Sequence, residues 1–288
     1  MKAKLQAPIF LFGCPRSGTT LLQSILATHP EIASFPETKF FLYGVAKYEP
    51  KRQKFGLISR RLKPHLNQYF KYQINHPEML TYFPQVPILD FINLYTRSFI
   101  KVLNILTIEE GKSLWLEKTP DHLLYLDYIE KMLPEARMIH LLRNGSDVVA
   151  SLYEVTHKYP EPWGGDCWSL NLCIRRWVEA VEITRQHIHK PNHILVRYED
   201  IITNPQAELL KLCQFIGINF TYSMLQNYLK TSEKLSLESA GRTVKKEITN
   251  CQSEKFQKLF NEPEREYIIK GLSKVNLNWV NDFRGRQV

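Results

Sequence analysis

The sequence lacks any apolar run long enough to cross a membrane. Its longest early apolar stretch, residues 7–12, ends at Gly13 and is shorter than the hydrophobic core of a secretory signal peptide. No repeat period and no low-complexity segment is visible. We therefore expect a soluble chain with no targeting segment and no membrane span.

Cysteine is scarce as well. The five cysteines are odd in number, and no CxxC pair or matching histidine cluster accompanies them. They are Cys14, Cys167, Cys173, Cys213 and Cys251. This pattern argues against a disulfide scaffold and predicts reduced thiols, a cytoplasmic location and no metal site.

The composition is that of a globular protein with an excess of positive charge. Of 288 residues, 44% are hydrophobic and 23% are charged, which excludes a disordered or collagen-like chain. The formal net charge of +9 predicts an anionic partner. Its sign alone leaves nucleic acid, a membrane surface, a nucleotide and a sulfated or carboxylated substrate open.

Strand-like and helix-like segments alternate along the chain. Apolar strand candidates lie at residues 8–12, 113–116, 137–142 and 193–196, and helical spacing recurs at 19–28, 122–133, 147–152, 173–187, 206–216 and 263–272. Asn144 or Ser146 is expected to cap the helix that follows the third strand. Strands separated by helices predict an α/β fold with a parallel sheet covered on both faces.

One basic segment interrupts this alternation. Residues 47–71 carry eight basic side chains and a single acid, Glu49, for a local charge of +7. The basic residues are Lys47, Lys51, Arg52, Lys54, Arg60, Arg61, Lys63 and Lys71. Because the connection is long for a compact domain, we expect a helical insertion at about 44–111 within a single domain of residues 1–288.

The loop from Gly13 to Thr20 lies between the first strand and the first helix. Such a loop turns successive backbone N–H groups toward one point, where a phosphate or sulfate binds. Its two glycines have the spacing of a Walker A loop, but Thr19 occupies the lysine position and Arg16 is the loop's only cation. An ATP-using enzyme is therefore disfavoured. A glycine-rich turn without a ligand is the simpler alternative.

The hexapeptide at 15–20, Pro-Arg-Ser-Gly-Thr-Thr, resembles the 5′-phosphosulfate loop of sulfotransferases that use 3′-phosphoadenosine 5′-phosphosulfate (PAPS). Its arginine form is similar to the tyrosylprotein and carbohydrate branches. The resemblance implies a three-layer, P-loop-like fold and a nucleotide site without metal. The donor-binding residues it implies in this loop are Arg16, Ser17, Gly18, Thr19 and Thr20.

A second match is a pair of residues eight positions apart, Arg143 and Ser151. The sequence Arg-Asn-Gly at 143–145 followed by Ser151 resembles the family's 3′-phosphate motif. A phosphate is well recognised by a fixed guanidinium with a hydroxyl donor beside it. A strand-end arginine and an exposed helical serine are each common alone, so the joint spacing carries the assignment.

The resemblance also implies the catalytic groups. Glu37, in a Glu-Thr-basic triplet, matches the family's base, and Lys118, in Glu-Lys-Thr-Pro, matches the lysine that supports the transferring sulfuryl group. Arg16 would share the developing charge. The simpler interpretations are a surface carboxylate and a solvated strand-end lysine.

Four C-terminal residues complete the implied site. Tyr198 would approach the adenosine, Ser239 would lie at the reaction centre, and Lys245 and Lys255 would contact the nucleotide. Core packing of Tyr198 and a solvated helix face for Lys245 remain alternatives.

The favoured function is sulfuryl transfer from PAPS to a hydroxyl of a tyrosine or other phenol, a sugar or a small metabolite, with release of adenosine 3′,5′-bisphosphate (PAP). The alternatives are an ATP-using P-loop kinase or nucleotidase and, less favoured, a nucleic-acid-binding protein built on residues 47–71. We expect this basic segment to face an acidic acceptor. Charge reversal at Arg60 and Arg61 is then expected to raise the acceptor KM.

Overall fold

The computed structural model describes residues 5–235 and 254–283, and its centre is a five-stranded sheet. In chain order the strands are β1 (Ile9–Gly13), β2 (Ile32–Ser34), β3 (Leu114–Lys118), β4 (Arg137–Leu142) and β5 (His193–Arg197). Every neighbouring pair is parallel, and the order across the sheet is β2-β3-β1-β4-β5. The predicted parallel α/β fold is confirmed, and β2 is the strand that the sequence did not predict.

The strand register places the functional loops at one edge of the sheet. Leu11 of β1 lies opposite Lys118 of β3, and Gly13 lies opposite Leu141 of β4. Because all five strands run in the same direction, the segments after their carboxyl ends meet there. This edge is where open parallel sheets bind ligands.

The helices and short helical turns within the described residues connect and cover the strands. The α-helices are α1 (Thr19–Leu26), α2 (Phe40–Gly44), α3 (Pro50–Lys54), α4 (Leu62–Gln68), α5 (Ile92–Glu109), α6 (Leu126–Met132), α7 (Gly145–Lys158), α8 (Leu170–His187), α9 (Tyr198–Thr203), α10 (Pro205–Ile216), α11 (Ser223–Gln226), α12 (Tyr228–Leu235), α13 (Glu254–Leu259), α14 (Glu262–Leu272) and α15 (Trp279–Asp282). Tyr69–Gln73 forms a π-helical turn, and 3₁₀ turns lie at Pro77–Tyr82, Pro87–Leu89, Pro120–Tyr125 and Glu161–Trp163.

Alternate residues of β1 face two hydrophobic clusters. Ile9 and Leu11 pack with Leu22 and Ile25 of α1 on one face of the sheet. Phe10 and Phe12 lie in the larger cluster on the other face. The period-2 alternation of a strand explains why a continuous apolar run fills both layers.

The long connection between β2 and β3 is mainly helical and packs on the sheet. Phe40 and Phe41 of α2 are fully buried, and Phe40 stacks on Phe99 of α5 with ring centroids 4.1 Å apart. Phe41 and Trp115 of β3 both pack near Phe10. The insertion thus shares the core of the sheet and holds α2 beside the carboxyl edge.

Among the described residues, no helix is both long and apolar enough to cross a bilayer.

Candidate active site

The loop after β1 requires both of its glycines. A Cβ on Gly13 would lie 2.3 Å from the carbonyl oxygen of Leu141, and one on Gly18 would lie 2.4 Å from the Tyr198 ring. Gly18 also has a φ of 96°, and Arg16 adopts a φ of 73°, which is uncommon for a residue with a side chain. Sheet packing on one side and Tyr198 on the other therefore shape this loop.

Glu37 and Lys118 form an ion pair at the carboxyl edge. Lys118 Nζ lies 2.5 Å from Glu37 Oε1, and the two side chains are 1% and 10% exposed. Lys118 Nζ also donates to Thr20 Oγ1 at 3.3 Å. The structure thus brings two of the four residues predicted to be catalytic, Glu37 and Lys118, into contact next to the first turn of α1.

Arg16 connects the loop to α7. Its Nε donates to Ser151 Oγ at 3.1 Å. The sequence placed these two residues at opposite phosphates of the donor, whereas in the structure they touch. One residue predicted for each phosphate is therefore in direct contact with the other.

Arg143 lies between Tyr198 and Asp147. Its guanidinium carbon is 4.3 Å from the centre of the Tyr198 ring, and its Nη2 is 3.4 Å from Asp147 Oδ2. Its Nε is buried and has no hydrogen-bond partner among the described residues. Asn144 caps α7 by accepting from the Ser146 and Asp147 N–H groups, as predicted. A partly exposed guanidinium with one buried, unsatisfied donor fits a phosphate of the donor nucleotide.

Three further residues were predicted to contact the nucleotide or the reaction centre. Lys255 Nζ forms an ion pair with Glu154 of α7, one helical turn beyond Ser151. Ser239 and Lys245 belong to the part of the chain that the structure does not describe.

Two side chains that the sequence did not reveal hold the loop around Glu37. Tyr69 Oη donates to the Pro36 carbonyl at 2.9 Å, and His65 Nε2 lies 2.6 Å from the Thr38 carbonyl. Burial lowers the pKa of His65, so the neutral ring donates its Nε2–H to that carbonyl. Both residues lie far from Glu37 in the sequence, so no local motif predicts these contacts. The most visible feature of their segment in the sequence is its basic charge.

A groove of about 800 Å³ opens beside this loop. Its walls include aromatic, basic and acidic side chains, among them Tyr43, Tyr48, Trp163, Trp168, Lys47, Arg61, Arg175, Asp121, Arg176 and Glu161. Asp121 forms an ion pair with Arg176 at the inner wall, where burial raises the pKa of Asp121 although Arg176 opposes this effect. Tyr43 is on α2, which begins three residues after Glu37, and Asp121 follows Lys118 by three residues, so the groove is lined by segments that continue from both members of the pair.

The groove divides the basic segment. Lys47 and Arg61 line it, and the Arg61 guanidinium lies 4.6 Å from the centre of the Tyr43 ring. Lys63 instead pairs with Asp90, and Arg52 donates to the Ile58 carbonyl at 2.7 Å. The basic residues that make up the charge of +7 therefore lie on several surfaces, and only some of them line the groove.

A separate group of potential metal ligands lies away from this edge. Asp127, Glu130 and His187 bring ligand atoms within 4.8 Å of one another. Lys190 Nζ is already 2.6 Å from Glu130 Oε2 and 2.9 Å from His187 Nδ1. The Lys190 ammonium therefore already contacts two of these three side chains.

Comparison with known proteins agrees with the fold. A model of the sulfotransferase family matches residues 8–222. The chain belongs to the sulfotransferase family. Protein-tyrosine sulfotransferase A of Caenorhabditis elegans is 23% identical over 238 residues, which cover 82% of this chain and 56% of that relative. The chain thus spans little more than half the length of that relative.

Solved sulfotransferases share the architecture. The sulfotransferase domain from the curacin biosynthetic pathway superimposes with a TM-score of 0.58 at 20% identity, covering 94% of this chain and 99% of that domain. Mouse sulfotransferase SULT7A1 complexed with PAP gives a TM-score of 0.55 at 12% identity, covering 94% of this chain and 85% of the mouse chain. At these identities the likeness concerns the fold of this sulfotransferase-family protein.

Proposed function

We propose that this protein transfers the sulfuryl group of PAPS to an acceptor hydroxyl and releases PAP. The observation that carries the proposal is the Glu37–Lys118 pair, with Oε1 and Nζ 2.5 Å apart, at the carboxyl edge beside the β1 loop. Membership of the sulfotransferase family supports it. PAPS, when bound, supplies a sulfuryl group already activated by a phosphate leaving group.

The chain's own residues divide the work. The loop around Gly18 and the first turn of α1 bind the 5′ side of the donor, while Arg143 and Ser151 bind its 3′-phosphate. The partly buried Tyr198 ring, packed between Gly18 and Arg143, holds the adenosine. Arg143 Nε has no hydrogen-bond partner among the described residues and can donate to that phosphate.

Glu37 takes the proton of the acceptor hydroxyl at Oε1, and Lys118 stabilises the negative charge on the transferring group. The ammonium of Lys118 lies between Glu37 Oε1 and Thr20 Oγ1, so it contacts both the base and the loop. Such contact orients the acceptor oxygen and the donor for an in-line approach. Arg16 adds positive charge from within the loop. Roles for Ser239, Lys245 and Lys255 stay predictions.

Nucleotide preference separates this function from an ATP-using enzyme. We expect PAP at about 100 times its Kd to raise the melting temperature by roughly 5 °C, and ATP with magnesium to give a smaller shift. The reason is that Thr19 occupies the Walker lysine position while Arg143 and Ser151 suit a 3′-phosphate. A larger shift with ATP and magnesium would favour the kinase or nucleotidase alternative.

We propose that the acceptor enters through the groove and carries negative charge. Lys47, Arg61 and Arg175 supply cations, and Tyr43 and Trp163 supply flat apolar faces. The protein-tyrosine sulfotransferase relative makes an acid-flanked tyrosine one candidate, beside an anionic sugar and a small metabolite. A cytoplasmic location and a single domain over residues 1–288 remain predictions.

Adjacent arginines provide a matched test of the groove. Arg61→Glu is expected to raise the acceptor KM about 3- to 10-fold and leave the PAPS KM unchanged, because Arg61 lines the groove. Arg60→Glu is the control, since its 83% exposed side chain lies beside Glu49. The assay compares an acid-flanked tyrosine peptide with a carboxylated oligosaccharide. If both variants changed the acceptor KM equally, the groove would not be the acceptor-binding site.

A further inference from the structure

A buried carboxylate lies directly beside Lys118 in sequence. Glu117 is 3% exposed, and its Oε1 accepts from Thr38 Oγ1 and from Thr119 Oγ1, both at 2.7 Å. Its Oε2 is 2.8 Å from His122 Nδ1. Burial alone would raise the pKa of Glu117, but His122 and the two hydroxyls hold it below its ordinary value. Glu117 is therefore an ionised carboxylate that only accepts hydrogen bonds.

The proton on His122 is fixed by the same contacts. The Phe41 N–H donates to His122 Nε2 at 3.2 Å, so Nε2 carries the lone pair and Nδ1 carries the proton. Nδ1 consequently donates to Glu117. An imidazole in this tautomer transmits the position of the carboxylate to the backbone of α2.

Four consecutive backbone N–H groups end on this network. Those of Thr38 and Lys39 donate to Glu117 Oε1 (3.4 Å) and Thr119 Oγ1 (3.1 Å). Those of Phe40 and Phe41 donate to Thr38 Oγ1 (3.3 Å) and to the imidazole. They include the opening N–H groups of α2, which a helix leaves without internal partners.

Backbone strain indicates what the network resists. Lys39, two residues after Glu37, adopts a φ of 49°, a left-handed conformation that persists only where its surroundings hold it. The donors from Thr38 to Phe41 surround this residue on both sides. The network therefore fixes the chain direction at the point where it leaves Glu37.

We propose that Glu117, with Thr119 and His122, is the positioning device of the Glu37–Lys118 pair. Glu117 precedes Lys118 on β3, and Thr38 follows Glu37, so one carboxylate sets the separation of both groups. The inference rests on the proposed function for its kinetic meaning. Glutamine cannot replace Glu117 here, because its NH₂ group would face a hydroxyl or imidazole donor. These three residues act through the backbone and touch neither donor nor acceptor.

Threonine variants test the device with little change of shape. Thr119→Val removes the hydroxyl that joins Lys39 to Glu117 and is expected to lower kcat about 10-fold, with both KM values within about 2-fold of wild type. Thr119→Ser restores the hydroxyl and should recover most of kcat. Glu117→Gln should lower kcat about 100-fold.

The control is Thr107→Val on α5. Thr107 is fully buried, but its hydroxyl donates within its own helix, to the Leu103 carbonyl at 2.6 Å. We expect its kcat to equal that of wild type. All variants are assayed well below their melting temperatures, and the melting shift caused by PAP is measured to show an intact donor site.

A crystal structure of Thr119→Val supplies a readout that does not depend on activity. We expect Glu37 Oε1 and Lys118 Nζ to move apart from their 2.5 Å contact. An unchanged pair, or wild-type kcat in folded Thr119→Val, overturns the positioning role even if Glu117→Gln fails to fold. Absence of sulfate transfer by the wild type would instead count against the proposed function, and the crystallographic result would still decide the positioning role.

Discussion

Replacing Glu37 with glutamine is expected to lower kcat by roughly 10²- to 10⁴-fold, the usual contribution of a positioned general base. The amide is close in shape to the carboxylate but cannot take the acceptor proton. Donor binding should persist, because the loop, Arg143 and Ser151 are separate from Glu37 Oε1. The measurements are steady-state sulfate transfer and the melting shift caused by PAP.

Glu135→Gln is the matched control for this substitution. Glu135 is exposed and precedes β4, so it lies at the amino edge of the sheet, opposite the site. We expect it to leave kcat unchanged. If Glu37→Gln kept kcat within about 3-fold of wild type, Glu37 would not be the base.

Lys118→Met is expected to lower kcat by roughly 10²- to 10³-fold, the range for loss of one group that stabilises developing charge. It should also destabilise the fold by about 3–5 kcal/mol, because it removes the ammonium that forms an ion pair with the largely buried Glu37 carboxylate. Transfer assays measure the first effect and denaturant unfolding measures the second.

The double variant Glu37→Gln/Lys118→Met separates stability from catalysis. Removing both charges should recover much of the lost stability, since no unpaired buried charge remains, while activity stays at the level of the single variants. Strictly additive losses of stability in the double variant would show that the pair is not coupled. Recovery of activity would contradict the catalytic role of both residues.

Much of this site was predictable because local motifs and strand topology act together. The strand, loop and helix around Gly13 predicted an anion-binding site. A parallel sheet places the segments that follow its strands at one edge. Glu37 and Lys118 were each assigned from short motifs 81 residues apart. Their direct contact depends on the register of β2 against β3, in which Ser34 lies opposite Leu116.

Short elements and long-range contacts limited the prediction. The strand β2 has three residues, Ile32–Ser34, which is too few for alternation to show. Arg16 was assigned from the loop motif, and its hydrogen bond with Ser151 joins positions 135 residues apart. No local pattern encodes such a partner.

The buried Glu117 network also depends on contacts that no local sequence pattern encodes. Its residue types are common in proteins. The Glu-Lys-Thr-Pro motif pointed to Lys118 as the functional residue and assigned no separate role to Glu117. Only the folded chain reveals that Glu117 and the side chains bonded to it accept from four successive N–H groups after Glu37. The net charge of residues 47–71 likewise does not show which cations share a surface: Lys63 pairs with Asp90, whereas Lys47 lines the groove.

Transfer of radiolabelled sulfate from PAPS to a panel of a simple phenol, an acid-flanked tyrosine peptide and a carboxylated oligosaccharide tests the central claim most directly. We expect the wild type to label at least one acceptor and Glu37→Gln to label none while still binding PAP. No labelling by a wild type whose melting temperature PAP does raise would contradict sulfuryl transfer at the Glu37–Lys118 pair.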